Sequence, residues 1–284
     1  MEILLNGHRT ETDAADMVQL KRQVYGDFGL DADACKKCIW IVEGFQTDEN
    51  LLLREGMTVN WIQKGIFPPK EEMESMLCAR HTPHVYEKAK KARVAVAGLG
   101  GLGSNIAVML ARTGIGHLHL IDFDVVEPSN LNRQQYFIEH LGMYKTEAMK
   151  ALLSHINPYI EVTIDTVKID ESNCLQLFAE DEIICEAFDK ADAKAMLTEQ
   201  ILCYCPDKTL ICGSGMAGYG PSNTIVTKKL NHHFYICGDG ISGAGPGHGL
   251  MAPRVTVCAA HQANMVLRCI LGLDAEDKED SNAE

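Results

Sequence analysis

A chain of 284 residues with 46% apolar composition is long enough for one large domain and a small one, each with its own core. Its formal net charge of −13 argues against polyanion binding as the main task, because attachment to nucleic acid or to an anionic membrane surface depends on many Lys and Arg contacts to phosphates. Eleven cysteines in a chain of this length, opening without a basic, apolar leader, point to the reducing cytoplasm, and no uninterrupted apolar run approaches the ~20 residues of a membrane-spanning helix.

Residues 1–65 read as a small mixed α+β unit. Glu2-Ile3-Leu4-Leu5 is strand-like and runs into the turn signal Asn6-Gly7, and a helical stretch with Met17, Leu20 and Val24 near one face follows. Two more short strands, Ile39–Val42 and Val59–Ile62, are separated by turns at Gly44, Asn50 and Gly56. Residues 66–91 form a linker, opened by Ile66-Phe67-Pro68-Pro69 and continued by a charge-mixed stretch with helical character on either side of Pro83.

From Arg93 onward strands and helices alternate, as a parallel sheet with crossover helices requires. Val94–Ala97 is a buried strand turning sharply at Gly98, and His117–Ile121 is a second strand ending at Asp122. Met143–Ile156 is helical, 161–168 strand-like, 172–178 a short helix, and Ile183–Phe188 a strand ending at Asp189. A helix over 191–205, a strand at Thr209–Cys212, an added strand pair near 224–227 and 234–237, and a final helix over 254–271 complete the domain at residues 92–273. The acidic stretch 274–284 lacks apolar periodicity and reads as a solvated, disordered tail.

The chemistry concentrates between Arg93 and Lys145. In Gly98-Leu99-Gly100-Gly101-Leu102-Gly103-Ser104 the glycines permit a tight turn and a close backbone approach to a phosphate, whose charge the helix N-terminus favours. Asp122 offers a carboxylate to a ribose hydroxyl pair. Alone, Gly98-x-Gly100-x-x-Gly103 with Asp122 about 20 residues on is a dinucleotide fingerprint and predicts NAD. It does not explain why Asn130, Arg133, Gln134 and Lys145 crowd just past the ribose carboxylate. A triphosphate with magnesium does need them: Arg133 supplies a planar fork, Lys145 a mobile charge, and Asp189 a carboxylate for the metal.

These residues resemble a known family. Gly-x-Gly-Gly-Leu-Gly-Ser, then Asp122-x-Asp124-x-Val126-x-x-Ser129-Asn130-Leu131-Asn132-Arg133-Gln134, then Leu141-Gly142-x-x-Lys145 and Ile156-Asn157-Pro158, are similar to the ubiquitin-activating-like adenylyltransferases of the ThiF, MoeB and HesA type, most of all the ThiF type. The resemblance covers roughly 89–272 and implies a Rossmann-like α/β fold with a mostly parallel sheet and flanking helices. It implies ATP and Mg2+ as cofactors. Gly98, Gly100, Gly101, Gly103, Asp122, Asp124, Asn130, Arg133, Gln134 and Lys145 would then line the nucleotide site, with Asp122 on the ribose and Asn130, Arg133 and Lys145 on the triphosphate. Arg133, Lys145 and Asp189 would form the catalytic set, with Asp189 on the magnesium side. The implied reaction is adenylylation of the C-terminal glycine of a ubiquitin-like sulfur carrier ending in Gly-Gly, of the ThiS type used in thiamine biosynthesis. A sulfur-donor protein and a homodimer are implied as well.

Residues 1–65 are themselves similar to a ThiS-type, ubiquitin-like β-grasp domain, through Ile3-Leu4-Leu5-Asn6-Gly7 and Leu53-Arg54-Glu55-Gly56-Met57-Thr58-Val59. The chain continues through Lys64-Gly65-Ile66-Phe67, so this unit has no terminal Gly-Gly and is read as a structural or docking element. Several features depart from the family pattern. Paired Cys-x-x-Cys zinc ligands are missing, since Cys35-Lys36-Lys37-Cys38 stands without a second pair, and no zinc site is expected. Cys237 is the one tempting catalytic thiol, with an inert buried role as its rival. The usual upstream arginine motif is absent, and Arg80 is a stand-in for it. Two other readings remain: an NAD-linked oxidoreductase, and a carrier-binding scaffold without chemistry.

Overall fold

The structure, a computed structural model, describes residues 1–81 and 83–274. Beyond Asp274 the acidic tail expected from the sequence lies outside the described residues. Contacts divide the chain into two compact units, Met1–Glu87 and Lys88–Glu284.

The first unit contains β1 (Glu2–Leu5), β2 (His8–Glu11), α1 (Met17–Asp27), α2 (Ala32–Lys36), β3 (Cys38–Val42), β4 (Phe45–Gln46), β5 (Thr58–Gln63) and α3 (Lys70–Leu77). Asn6 and Gly7 both take positive φ, 47° and 84°, which is the two-residue hairpin geometry that an Asn-Gly pair favours, and it joins β1 to β2. The partner strand β2 was not apparent from the sequence because His8-Arg9-Thr10-Glu11 carries no apolar alternation; it is a mostly exposed edge. The sheet order is β2-β1-β5-β3-β4, with β1 and β5 parallel. Helix α1 is capped by Asp16, whose Oδ1 accepts from Gln19 N at 2.9 Å, and its buried Met17, Leu20 and Val24 close the core over Ile3, Trp40, Val59 and Trp61. This is the small β-grasp arrangement the sequence suggests. The segment expected as a linker holds α3, whose Glu72 and Ser75 hydrogen-bond to Asn6 and Asn60 of the same unit.

Helix α4 (Pro83–Lys91) carries the boundary between the units. Beyond it come β6 (Arg93–Ala97), α5 (Gly101–Thr113), β7 (His117–Ile121), α6 (Lys145–Ile156), β8 (Glu161–Asp165), α7 (Cys174–Leu177) and β9 (Ile183–Glu186). The rest is α8 (Ala191–Tyr204), β10 (Thr209–Gly213), β11 (Val226–Asn231), β12 (Phe234–Gly238) and α9 (Ala252–Leu271). The strands order as β11-β12-β10-β9-β6-β7-β8, all parallel except the edge strand β11. Both faces of the sheet are covered, so its central strands need apolar residues at every position. Along β6, Val94 and Val96 enter the core under α5, α6 and α9, whereas Ala95 and Ala97 enter the core under α7 and α8.

Strand β6 lies between β7 and β9, where the strand order reverses. In an open α/β sheet the crevice beyond the strand ends at such a switch point is where ligands bind. Glycine is obligatory just there. A Cβ on Gly103 would lie 1.8 Å from the Gly98 carbonyl oxygen, so only a glycine lets α5 start this close to the end of β6.

Candidate functional site

The site grows from the C-terminal ends of β6, β7 and β9. Gly98 (φ 90°) turns the chain away from the sheet, its N–H donating to Ile121 O at 2.8 Å. Gly100 then caps α5 with no side-chain hydrogen bond, leaving the first helical N–H groups to face the crevice.

Asp122, buried at 8% exposure, braces this turn. Its Oδ2 accepts from Leu99 N at 2.6 Å and its Oδ1 from Asp124 N at 2.8 Å, so one carboxylate sets the glycine turn against the segment beyond β7. Burial pushes the Asp122 carboxyl above the ordinary carboxylate range, opposed by the Lys145 charge and the two N–H groups. Each oxygen retains a lone pair for a further donor.

The segment 122–145 is pinned at both ends. Lys145 N donates to Asp124 O, Val126 N to Met143 O and Gly142 N to Val126 O, all at 2.9 Å. Lys145 opens α6 with a buried ammonium 2.9 Å from Asp124 Oδ2 and 4.0 Å from Asp122 Oδ2. The Tyr136 hydroxyl donates to Leu99 O at 2.9 Å and ties the middle of the segment to the glycine turn.

Asn130 and Arg133 sit in this segment with mixed duties. Asn130 is buried and its Oδ1 accepts from Glu127 N at 3.0 Å, holding the 3-10 turn Pro128–Asn130. The half-buried Arg133 donates from Nη1 to Ser129 O (3.0 Å) and Asn132 Oδ1 (2.8 Å), while its Nε is buried without a partner among the described residues. Gln134 Oε1 is likewise buried and unpaired, and its Nε2 lies 3.9 Å from the place a Gly100 Cβ would take. A Cβ on Gly101 would come within 3.6 Å of the Arg133 side chain. Unsatisfied donors and acceptors beside a bare glycine turn form a cradle suited to an anionic, hydrogen-bonding ligand.

Asp189 stands three residues beyond β9, exposed, and no hydrogen bond or ion pair with a described residue engages its carboxylate. It does not cap the following helix, whose N-cap is Lys190. The loop carrying it lies against the glycine turn: Ala187 N donates to Ala97 O at 2.9 Å, and Ala187 O is 3.0 Å from where a Gly98 Cβ would be. The sheet therefore brings Gly98, Gly100, Asp122, Lys145 and the Asp189 loop to one edge. Arg80 belongs to the first unit, where it donates to Gln46 Oε1 at 2.5 Å.

Some contributors were not singled out in the sequence. Ser104 Oγ accepts from Gln135 N at 3.2 Å; Asn105 Nδ2 donates to Arg133 O at 3.2 Å and its Oδ1 accepts from Gln135 Nε2 at 2.7 Å. Together they lay the Arg133 backbone along the first turn of α5. The available signal was a pair of polar residues directly after the glycine turn, in a helix otherwise apolar as far as Leu110.

Cys237 is fully buried, its thiol pushed up to about 11 by burial, and among the described residues the thiol pairs with Thr227 Oγ1. Burial of this kind favours the packing role over the catalytic one, since it is the thiolate that attacks. Among the described residues no cluster of three or more His, Cys, Asp or Glu side chains is arranged to hold a metal, and no helix is long and apolar enough to cross a membrane.

The sequence matches the ThiF family over residues 74–283. The chain belongs to the ThiF family. Residues 1–65 match the ThiS-like ubiquitin family, in agreement with the β-grasp topology of the first unit. Among curated relatives of this ThiF-family chain, the adenylyltransferase and sulfurtransferase UBA4 of Eremothecium gossypii is 34% identical over 47% of the chain and 30% of its own length. The molybdopterin-synthase adenylyltransferase of Salmonella typhimurium is 32% identical over 65% of the chain and 75% of its own length. The chain thus spans less than a third of the first relative and three quarters of the second. Among solved structures, the Escherichia coli tRNA N6-threonylcarbamoyladenosine dehydratase TcdA in complex with AMP superposes with a TM-score of 0.65 at 21% identity, covering 73% of this chain and 97% of that one. That likeness concerns the fold.

Proposed function

We propose that this ThiF-family protein adenylylates the C-terminal glycine carboxylate of a ubiquitin-like sulfur carrier, using ATP. The observation that carries the reading is the meeting of the uncapped glycine turn, Asp122, Lys145 and the half-satisfied Arg133 and Gln134 at the β6/β9 switch point. Relatives at 32% and 34% identity bear the name adenylyltransferase, and TcdA, of the same fold, has also been solved in complex with ATP.

In this reading the α5 N-terminus, Gly100, Gly101, Gly103 and Gln134 hold the phosphate chain, Gly98 turns the backbone toward it, and Asp122 takes the ribose. Asn130 fixes the turn that delivers Arg133, and Arg133 and Lys145 neutralise the charge gathering on the phosphates. Asp124 holds the Lys145 ammonium until a phosphate oxygen competes for it. A carboxylate oxygen of the carrier attacks the α-phosphorus; the bond to the β-phosphate bridge breaks, and pyrophosphate leaves with the electron pair. The products are an acyl adenylate and pyrophosphate. Positioning and charge neutralisation supply the acceleration, so no protein nucleophile is required. Mg2+ would neutralise phosphate charge, and one free carboxylate such as Asp189 suits it, because magnesium is commonly held by one or two carboxylates together with substrate phosphates.

The carrier is of the ThiS type, serving thiamine biosynthesis, a choice supported by the ThiS-like ubiquitin match of residues 1–65. That unit runs on through Gly65 into α3 and so serves docking or structure instead of presenting the attacked carboxylate. Sulfur comes from a separate donor protein after adenylylation. The protein acts as a cytoplasmic homodimer; in the second unit Phe123 (51% exposed), Phe137 (61%), Ile138 (78%) and Tyr144 (47%) are exposed apolar side chains available for self-association.

Carrier-dependent exchange of labelled pyrophosphate into ATP tests the reading. Exchange with a ThiS-type carrier supports it, exchange only with a molybdopterin-synthase carrier corrects the carrier, and carrier binding without exchange makes the chain a scaffold. Tight NADH binding without ATP binding would return the site to an NAD-linked oxidoreductase.

A further inference from the structure

Behind the site lies a group of charged and polar side chains that the reaction as drawn does not use. Glu186 ends β9, registered between Ala97 of β6 and Cys212 of β10, and its side chain has no solvent exposure. Its Oε1 accepts from Phe188 N at 2.6 Å and from Lys194 Nζ at 2.8 Å; its Oε2 accepts from the same Nζ at 3.0 Å. Lys194, on α8, also donates to Gly213 O at 2.8 Å, where β10 ends. On the opposite face, Gln262 of α9 is buried and donates from Nε2 to both Glu186 O and Ile211 O at 3.0 Å.

A buried ion pair is a poor means of adding stability, since well-packed apolar residues of similar volume often do as well or better. Only polar groups, however, can receive the Phe188 N–H and donate to the Gly213 carbonyl, and those backbone groups open the two loops that leave adjacent strands at the site edge. The loop from Ala187 to Asp189 lies directly against Gly98, where a Cβ would meet Ala187 O at 3.0 Å and Phe188 at 3.1 Å. Whatever fixes that loop therefore fixes both the exposed Asp189 carboxylate and one wall of the glycine turn.

We propose that Glu186, Lys194 and Gln262 are positioning residues of the nucleotide site, a buried polar brace that sets the course of Ala187–Asp189 and so aims Asp189 at the metal side of the bound phosphates. This rests on the adenylylation reading and on the role it gives Asp189. The brace touches neither substrate nor metal; it acts through the backbone of the loop.

The test compares two neutral double variants that avoid leaving one buried charge alone. E186Q/K194M retains an acceptor for Phe188 N–H, whereas E186L/K194M removes it. Hydrogen exchange at the Phe188 and Asp189 amides is read on the protein without nucleotide or magnesium. The magnesium concentration giving half-maximal pyrophosphate exchange is read with the carrier present. For E186L/K194M, amide exchange speeds up and the magnesium requirement rises, each by about tenfold or more, on the scale seen when a partner that orients a metal ligand is lost. E186Q/K194M recovers most of both. Should E186L/K194M not fold, Q262L, which leaves the ion pair intact, moves both readouts in the same direction. Wild-type amide protection together with a wild-type magnesium requirement in the folded variants overturns the proposal. An absence of pyrophosphate exchange in the unaltered protein would instead overturn the adenylylation reading, and amide exchange would still decide whether the brace holds the loop.

Discussion

Lys145 and Asp124 are joined twice, main chain to main chain (Lys145 N to Asp124 O, 2.9 Å) and side chain to side chain (Lys145 Nζ to Asp124 Oδ2, 2.9 Å). The double link closes the 122–145 segment into one piece and parks a buried ammonium 4.0 Å from the Asp122 carboxylate. Replacing Lys145 by Ala removes the charge but leaves the backbone link. The expected loss in pyrophosphate exchange is on the order of 10²-fold, as for removal of one preorganised charge-stabilising donor. Arg133→Ala should lose a similar factor. Unchanged rates in both variants would strip these residues of their roles.

Gly103 is a packing residue as much as a phosphate-loop residue. Its missing Cβ would lie 1.8 Å from Gly98 O, a backbone atom that cannot rotate away. Gly103→Ala should lower stability by about 1–3 kcal/mol, the usual range for overpacking, and weaken ATP binding in step. Denaturant unfolding and nucleotide titration of the same variant check this. An alanine variant as stable as the parent would show that α5 can retreat from β6.

His119 gives the second unit a pH-dependent brace away from the site. Its Nδ1 lies 2.7 Å from Asp181 Oδ2 and its Nε2 2.8 Å from Asp165 Oδ2, and Arg93 Nε donates to Asp181 Oδ1 at 3.0 Å. Burial opposes the imidazolium, but the two carboxylates outweigh it and raise the pKa above 6.5. With the folded value above the unfolded one, the stabilisation is complete below the unfolded value of 6.5 and disappears as pH rises through the raised folded value. The stability gap between wild type and His119→Gln, from urea unfolding at several pH values, should therefore shrink as the pH increases past that point. A constant gap would show that folding leaves the His119 pKa unshifted.

Cys237→Ala should leave pyrophosphate exchange unchanged and no thioester to the carrier should form on the parent protein, because its fully buried thiol is held up near pKa of about 11. A reductant-sensitive covalent adduct seen on a denaturing gel, lost in this variant, would reverse that reading.

The fold was readable because its signals are local or periodic. Val94–Ala97 is apolar at every position, as burial on both faces demands, and Asn6-Gly7 specifies its own turn. Less legible was anything whose cause lies elsewhere in the chain. Strand β2 exists because β1 offers it a ladder, and its polar residues give no hint of that. Glu186 is a single charge in an apolar strand, and nothing near it in sequence indicates that Lys194 and Gln262 bond to it from opposite faces of the sheet. Asn130, expected on the phosphates, uses its Oδ1 to hold the backbone of its own turn, a bond that orients the amide and that the residue type alone does not announce.

By itself the sequence determined that a glycine turn follows a buried strand, that a carboxylate follows the next strand, and that a dense polar segment comes after it, since turn, strand and charge chemistry are carried by the residues themselves. The tertiary structure alone decided which of those groups meet. Parallel strand register brings Ala97, Ile121 and Glu186 level at one edge, and the reversal of strand order opens the crevice between β6 and β9. Packing then determines which polar atoms are spent on the fold, as Asn130 Oδ1 is, and which stay without a partner among the described residues, as Arg133 Nε and Gln134 Oε1 do.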